Sequence, residues 1–365
     1  MTAITLALAA NGDASHGCEI GQCPPVSYVL VVRDLSVDIE PTIKSLAEQT
    51  YPRMEVVVVT ASSLETAVAQ RLAEVSNLGY CKIATVPSAA SYMDAVAKGL
   101  KIVEGRFVAL VGAGERLKPD HASIHVQVHL ALSQTVAMTS GLVNTTTDPS
   151  LPPTAAVGDS GKRWIPGLRP SGIVPRLPTV SEPEFARLHD GTVFHPHDTR
   201  RPRWSPGAGS MYRRDLLSWI TPSGPTALGP VDTDVYFSWL CHNCGGSASI
   251  AIQVSLSDSA FDDSGPTMAG TRQQPSTACR LEIARLFLNN AETISWNLGG
   301  RFWKVLDKAL KPRKSKTLYR RPVVMKLLSD NANGLVAAFG RGRTSRRLRK
   351  RLGKKRTRRI LRNAR

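Results

Sequence analysis

The sequence predicts an α/β domain, a Rossmann-like and mostly parallel sheet flanked by helices, with a basic helical C-terminal extension. Three observations carry this. Short Val-rich apolar runs alternate with amphipathic stretches between residues 26 and 112, the pattern of βαβ units joined by right-handed crossovers. A chain of 365 residues with 42% apolar content is large enough for one large α/β domain and an appendage, or for two domains. Charge is segregated: residues 301–365 hold 24 Lys/Arg against 2 Asp/Glu, whereas the first 300 carry a balance of −4.

Residues 1–25 read as a leader; no Lys or Arg precedes its short apolar stretch, so a secretory signal is not expected. "VSYVLVV" (26–32) is a strand by its β-branched and aromatic content. Ile39, Ile43, Leu46 and Ala47 then recur at helical spacing. "MEVVVVT" (54–60) is a second buried strand, and residues 63–75 form a helix with Ser63 as its N-cap. Residues 80–86, 92–105 and 106–112 continue as strand, helix, strand. Between 145 and 205 the pattern gives way to Pro, Gly, Ser and Thr, an irregular insertion within a domain spanning 26–265. A helical region follows over 266–310, with Ile283, Leu286, Phe287 and Ile294 on one face, and 311–365 is a basic tail. No apolar run reaches the length of a membrane span. Six cysteines are too sparse for a disulfide scaffold, which points to a reducing compartment.

The fourth predicted strand runs into Gly112-Ala113-Gly114-Glu115. A loop at the C-terminal end of such a strand is where α/β proteins place a ligand's charged groups. It offers one carboxylate, where hard divalent cations want several oxygens. Its glycines permit close backbone approach, so their N–H groups could cradle a phosphate, with Arg116 or Arg213 as a source of positive charge. The plainer alternative is a tight turn without ligands. Asp232 and Asp234 precede an apolar run, where a helix N-terminus stabilises negative charge. His121, His125 and His129 share one helical face, expected to be a helix surface rather than a zinc site. His195 and His197 lie in the irregular insertion. Cys241 and Cys244, with Cys18 and Cys23, could supply four sulfurs, although packing accounts for them more simply.

Several strings are similar to the family 2 glycosyltransferases of the GT-A fold, over about residues 26–260. The most specific is "SLAEQTYPRMEVVVV", with Ser45, Gln49, Tyr51, Pro52 and Glu55 in the family's positions. "AKGLKIVEGRFVALVGAGERLKPD", "GSMYRRDLL" and "VDTDVYFSWL" resemble the Asp-x-Asp stretch and the acceptor half. The departures fall where the chemistry would be. Thr60-Ala61-Ser62-Ser63-Leu64-Glu65 replaces an acidic nucleotide-binding string, Val96-Ala97 replaces Arg-Asn, and Gly112-Ala113-Gly114-Glu115 replaces Asp-x-Asp-Asp.

The resemblance implies a GT-A-like sheet and transfer of a sugar from a nucleotide sugar to a cell-surface glycan or lipid-linked acceptor. It implies Asp232 as the base that deprotonates the acceptor, and Glu65, Glu115, Asp234 and Arg213 as nucleotide-sugar contacts. Glu115 is the remaining ligand for Mn²⁺ or Mg²⁺ if the protein is active. The missing carboxylates give an alternative, a catalytically inactive relative that serves as a scaffold or partner for other glycosyltransferases. The tail, with Leu348 and Leu352 one helical turn apart among fourteen basic residues in 341–365, suits an anionic membrane surface. "RFWKVLDKALK" places Phe302, Val305, Leu306 and Ala309 on one side, with Trp303 near the edge. A peripheral location at the cytoplasmic face of the cell membrane is expected, with a solvated tail as the alternative, and nucleic acid is disfavoured by the acidic body and the few aromatics among the tail's charges.

Overall fold

The computed structural model describes residues 22–75, 80–132, 136–145, 188, 192–197, 204–205, 207–257, 275–311, 318–362 and 364. Nearly all of the leader with Cys18, and most of the irregular insertion, lie outside the described residues. The chain forms two compact units, Met1–Gln273 and Gln274–Arg365.

In the first unit, strands β1 (Val26–Val32), β2 (Met54–Ala61), β3 (Tyr80–Val86) and β4 (Phe107–Gly112) pair in parallel in the order β3-β2-β1-β4. All seven residues of β1 are buried, and β2 is buried beyond Met54. Such uninterrupted apolar strands belong to a sheet covered on both faces. β3 is at the end of the strand order and is correspondingly half exposed. Helices α1 (Glu40–Ala47), α2 (Glu65–Ala73) and α3 (Tyr92–Leu100) are the crossovers. Ser91 and Asp94 cap α3 reciprocally, side chain to backbone in both directions. α2 begins after a 3₁₀ turn over Ser62–Leu64, so Ser63 is not its N-cap; its hydroxyl meets that of Ser88 at 3.2 Å instead.

The second half of the sheet is mixed. β8 (Ser210–Arg213) runs antiparallel to β4 and to β6 (Met138–Thr145). β9 (Ser247–Ser257) runs parallel to β6 and antiparallel to β5 (Glu115–Leu117) and β7 (Thr192–His195). The architecture is therefore the expected mostly parallel α/β sheet flanked by helices, with antiparallel strands added beyond β4. The chain lays β2 and β3 on one side of β1 and β4 on the other, so the crevice at the C-terminal ends of β1 and β4 is a topological switch point.

α4 (His121–Ala131) is buried through His129, which overturns the surface placement of its histidines. His121 Nε2 donates to the Ala208 carbonyl at 2.7 Å, which leaves Nδ1 to accept from the Tyr28 hydroxyl at 3.0 Å. His125 Nδ1 meets Thr139 Oγ1 at 2.7 Å, and His129 stacks on Phe107 at 4.5 Å. Burial holds His121 down to about 4 and His129 to about 3, so both are neutral at pH 7. α5 (Arg214–Ile220) and α6 (Pro230–Gly245) complete the described helices of this unit. Cys241 and Cys244 are buried along α6, and Cys23 is in the core.

The second unit is helical: α7 (Thr277–Asn289), α8 (Ala291–Leu298), α9 (Phe302–Leu310), α10 (Pro322–Asp330), α11 (Ala332–Phe339), α12 (Arg341–Leu352) and α13 (Lys354–Leu361). Phe302, Val305, Leu306 and Ala309 of α9 are buried, as is Trp303. Trp303 lies beneath Arg351, whose guanidinium carbon is 4.9 Å from its ring and whose Nε donates to Asp307 at 2.6 Å. Leu348, Leu352, Ile360 and Leu361 are also buried, so the apolar stripe of α12 and α13 faces inward and their basic residues, Arg351 apart, face water. Among the described residues no helix is long and apolar enough to cross a membrane.

Candidate active site

The antiparallel pairing of β8 with β4 sets Met211 opposite Ala109, which brings the segment Gly207–Gly209 to the C-terminal end of β4. There it meets the turn that joins β4 to β5. Gly114 takes a φ of 85° in that turn, and its N–H donates to Thr42 Oγ1 at 3.0 Å. The turn folds Glu115 back on itself: Oε2 accepts from the Gly112 N–H at 2.6 Å. Both carboxylate oxygens also accept from the Ala208 N–H, at 3.0 and 3.1 Å. The preceding amide, of Gly207, donates to Asp234 Oδ2 at 2.9 Å. Two acids thus hold consecutive amides of one segment, and the Ala208 carbonyl is held in turn by His121.

Both acids are buried. Burial pushes Glu115 up to about 8, with the nearby Asp234 adding to the shift and the two amide donors opposing it. Burial pushes Asp234 up to about 7, opposed by the Gly207 amide. Tyr92, at the first turn of α3, is also raised, by burial first and then by these two acids. Folding therefore favours the protonated carboxyls. The sign follows: their contribution to stability is present at low pH and is lost as pH rises through about 7 to 8. The neutral histidines have the opposite sign, losing their contribution as pH falls from the ordinary histidine range toward about 4.

Asp232 differs from both acids. It is in the first turn of α6, half-exposed, and no hydrogen-bond partner for its carboxylate is found among the described residues. The loop before it is latched to the N-terminus of α3, where the Thr226 N–H donates to Asp94 at 3.0 Å and the Met93 N–H donates to the Leu228 carbonyl at 3.3 Å. That α3 terminus follows β3, so Asp232 stands at the same sheet edge as Glu115 and Asp234.

The other expected contacts separate. Glu65 is exposed at the start of α2, beyond β2. Arg213 pairs with Phe107 at the start of β4, at the opposite edge of the sheet, and is ion-paired with Asp215. It does not reach the site, because antiparallel β8 carries it away. The cleft at the ends of β1, β2 and β3 is lined by Val32, Arg33, Thr60, Ala61, Ser88 and Ala90 among others, with no carboxylate.

A divalent ion does not fit these residues. Gly112 and Gly114 have no side chain to offer, and Glu115 has both oxygens on backbone amides in a setting that favours its neutral form. No group of three His, Cys, Asp or Glu side chains suited to a metal occurs among the described residues. In this arrangement Glu115 braces the amides of Gly112 and Ala208. Sequence reading missed the partners Gly207 and Ala208; the one signal was that Gly-Ala-Gly occurs at both 112–114 and 207–209.

No family model matches the chain, and no curated protein matches it. Among solved structures, it is similar to S. aureus TarS 1-349 in complex with UDP-GlcNAc, at 13% identity over 85% of this chain and 81% of that one, with a TM-score of 0.47. It is also similar to a mannosyltransferase from Pyrobaculum calidifontis in complex with GDP-Man and Mn²⁺, at 16% identity over 92% and 82%, TM-score 0.42. A third is glucosyl-3-phosphoglycerate synthase from Mycobacterium tuberculosis in complex with phosphoglyceric acid, at 14% identity over 81% and 89%, TM-score 0.37.

Proposed function

We propose that the chain is a family 2-like glycosyltransferase that moves a sugar from a nucleotide sugar to a cell-surface glycan or lipid-linked acceptor, with no carboxylate-held metal. The observation that carries this reading is the contrast among three acids at one sheet edge. Glu115 and Asp234 are buried and occupied by backbone amides, whereas Asp232, at a helix N-terminus, is half-exposed and has no hydrogen-bond partner among the described residues. An inverting transfer needs one such carboxylate to take the acceptor's hydroxyl proton. The acceptor oxygen then bonds to the anomeric carbon, and the bond to the diphosphate breaks with its electron pair leaving on phosphate. The exposed Arg116, next to Glu115 in β5, and Arg33, which lines the cleft at the ends of β1–β3, are basic side chains at this edge available to that charge.

A second reading, a catalytically inactive relative acting as a scaffold or partner for other glycosyltransferases, is favoured by the absence of any carboxylate from the cleft at β1–β3. Turnover separates the two. Release of nucleoside diphosphate from a panel of UDP- and GDP-sugars, lost on Asp232→Asn, supports the transferase; no release from any of them supports the scaffold.

The second unit fits an anionic membrane at the cytoplasmic face. Arg346, Arg347, Arg349 and Lys350 of α12 and Lys354, Lys355, Arg356, Arg358 and Arg359 of α13 are exposed. Trp296 on α8 is 91% exposed, a residue type favoured at membrane–water interfaces. Because the tail's leucines point inward, this docking is electrostatic rather than insertion of an apolar stripe. Full-length protein is expected to sediment with anionic vesicles, and each exposed base contributes about 1 kcal/mol. Arg346→Gln/Arg349→Gln should then weaken binding by roughly an order of magnitude or more, and added salt should weaken it steeply. Protein that ignores such vesicles but retards duplex DNA contradicts the membrane assignment.

A further inference from the structure

A cavity of about 560 Å³ opens at the edge of the sheet opposite the candidate active site. Pro25, just before β1, and three further segments line it. The end of α3 gives Leu100, Lys101 and Val103, the lead-in to β4 gives Glu104 and Arg106, and the β8–α5 junction gives Arg213, Arg214 and Asp215. The strand register forces the basic residues together. Phe107 pairs with Arg213, so Arg106 comes beside Arg214, and the Arg214 N–H donates to the Arg106 carbonyl at 3.0 Å.

Like charges held side by side are destabilising unless something offsets them. The acids at the rim are engaged elsewhere: Asp215 is ion-paired with Arg213, and Glu104 is 2.6 Å from Lys82. Lys101, Arg106 and Arg214 make no ion pair among the described residues. One Arg214 nitrogen donates to the Val103 carbonyl at 2.9 Å, which fixes its guanidinium against the cavity wall. Two guanidinium forks and an ammonium around a space of this volume are suited to phosphate oxygens, which arginine meets in bidentate fashion.

We propose that this cavity binds a phosphate-bearing anion, gripped by Arg106 and Arg214 with Lys101 adding charge. The site does not depend on the transferase reading, since it shares no residue with the candidate active site. An adjoining cavity of about 160 Å³ is lined by Val136, Ala137, Leu216 and Trp219 and shares the Arg213–Asp215 pair. It offers an apolar wall next to the basic one, so the phosphate can belong to a soluble compound or to a lipid headgroup.

The test titrates inorganic pyrophosphate into the full chain by calorimetry, and into Arg106→Gln/Arg214→Gln. Wild-type protein should show a site of submillimolar affinity, and the double variant should bind at least about tenfold more weakly. Without ligand the variant should melt close to wild type, because removal of two like charges offsets loss of the Arg214–Val103 hydrogen bond; a folding defect would lower the midpoint by many degrees. Arg346→Gln/Arg349→Gln removes the same charge from the second unit and should leave the site intact. A parallel titration with dihexanoyl phosphatidic acid below its micelle concentration identifies the source. Tighter binding than pyrophosphate assigns a lipid phosphate, and weaker binding assigns a soluble one. Equal losses in the two double variants, or no loss in Arg106→Gln/Arg214→Gln, overturn the proposal.

Discussion

Gly207→Ala is expected to destabilise the first unit by roughly 3 kcal/mol or more, a fall in thermal midpoint of about 6–12 °C. Two costs combine. Gly207 has a φ of +53°, where an alanine costs about 1–2 kcal/mol. The added Cβ would also lie 2.1 Å from Glu115 Oε1, so the carboxyl must move off the Ala208 and Gly112 amides. Each buried N–H left unpaired costs about 1–3 kcal/mol. Gly224→Ala is the control: nothing lies within 4 Å of its Cβ position, and its stability should be unchanged. The brace also carries a pH signature. Wild-type stability should fall from pH 6.5 to 8 as Glu115 and Asp234 ionise, and Glu115→Gln should flatten that slope even though it lowers stability overall. A Gly207→Ala protein that melts with wild type would show that Glu115 does not hold this segment.

Asp232→Asn is expected to lower turnover by about two orders of magnitude or more with little change in thermal midpoint, the scale typical of losing a general base. The geometry separates this residue from its neighbours. Asp232 is half-exposed and holds no other group among the described residues, so its loss should spare the fold, whereas Asp234→Asn disturbs the Gly207 amide and should cost stability as well. Calorimetric affinity for nucleotide sugar should persist in Asp232→Asn, because the base acts on the acceptor. Near-normal turnover in a folded Asp232→Asn protein would reject the assignment.

The residues that carried the family resemblance prove to be scaffold. Gln49 donates to the carbonyls of Ser45 and Lys118, at 3.1 and 2.7 Å. Tyr51 donates to the Pro24 carbonyl at 2.6 Å. Glu55 accepts from Ser27 at 2.5 Å and lies 3.1 Å from Lys82. These contacts tie the starts of β1, β2 and β3 together and hold the end of α1 to the segment after β5, so the string that predicted the fold is the one that builds it. The apolar periodicity of β1, β2 and α3 was legible for the same reason, since burial on both faces leaves a local pattern. The site was less legible because its partners are distant in sequence. Glu115 meets Ala208 across 93 positions, and only the β4–β8 register shows it. The same register decides that Arg213 is at the wrong edge, a fact that its closeness to Gly209 in sequence conceals. The burial of His121, His125 and His129 had a local signal that the three-histidine spacing masked: Ala122, Ile124, Val126 and Val128 alternate around them, so no face of α4 is polar.

Glu115 and Asp234, at the C-terminal end of β4, hold backbone amides, an arrangement that leaves no carboxylate for a metal. Calorimetric titration of wild-type protein with UDP-glucose, UDP-N-acetylglucosamine and GDP-mannose, with and without Mn²⁺, tests it most directly. Binding should be weak, and its affinity should change no more than a few-fold on adding Mn²⁺, because no carboxylate couples the ion to the diphosphate. Micromolar binding that occurs only when Mn²⁺ is present would contradict it, since Glu115 would then have to leave the amides of Gly112 and Ala208 to take up the ion.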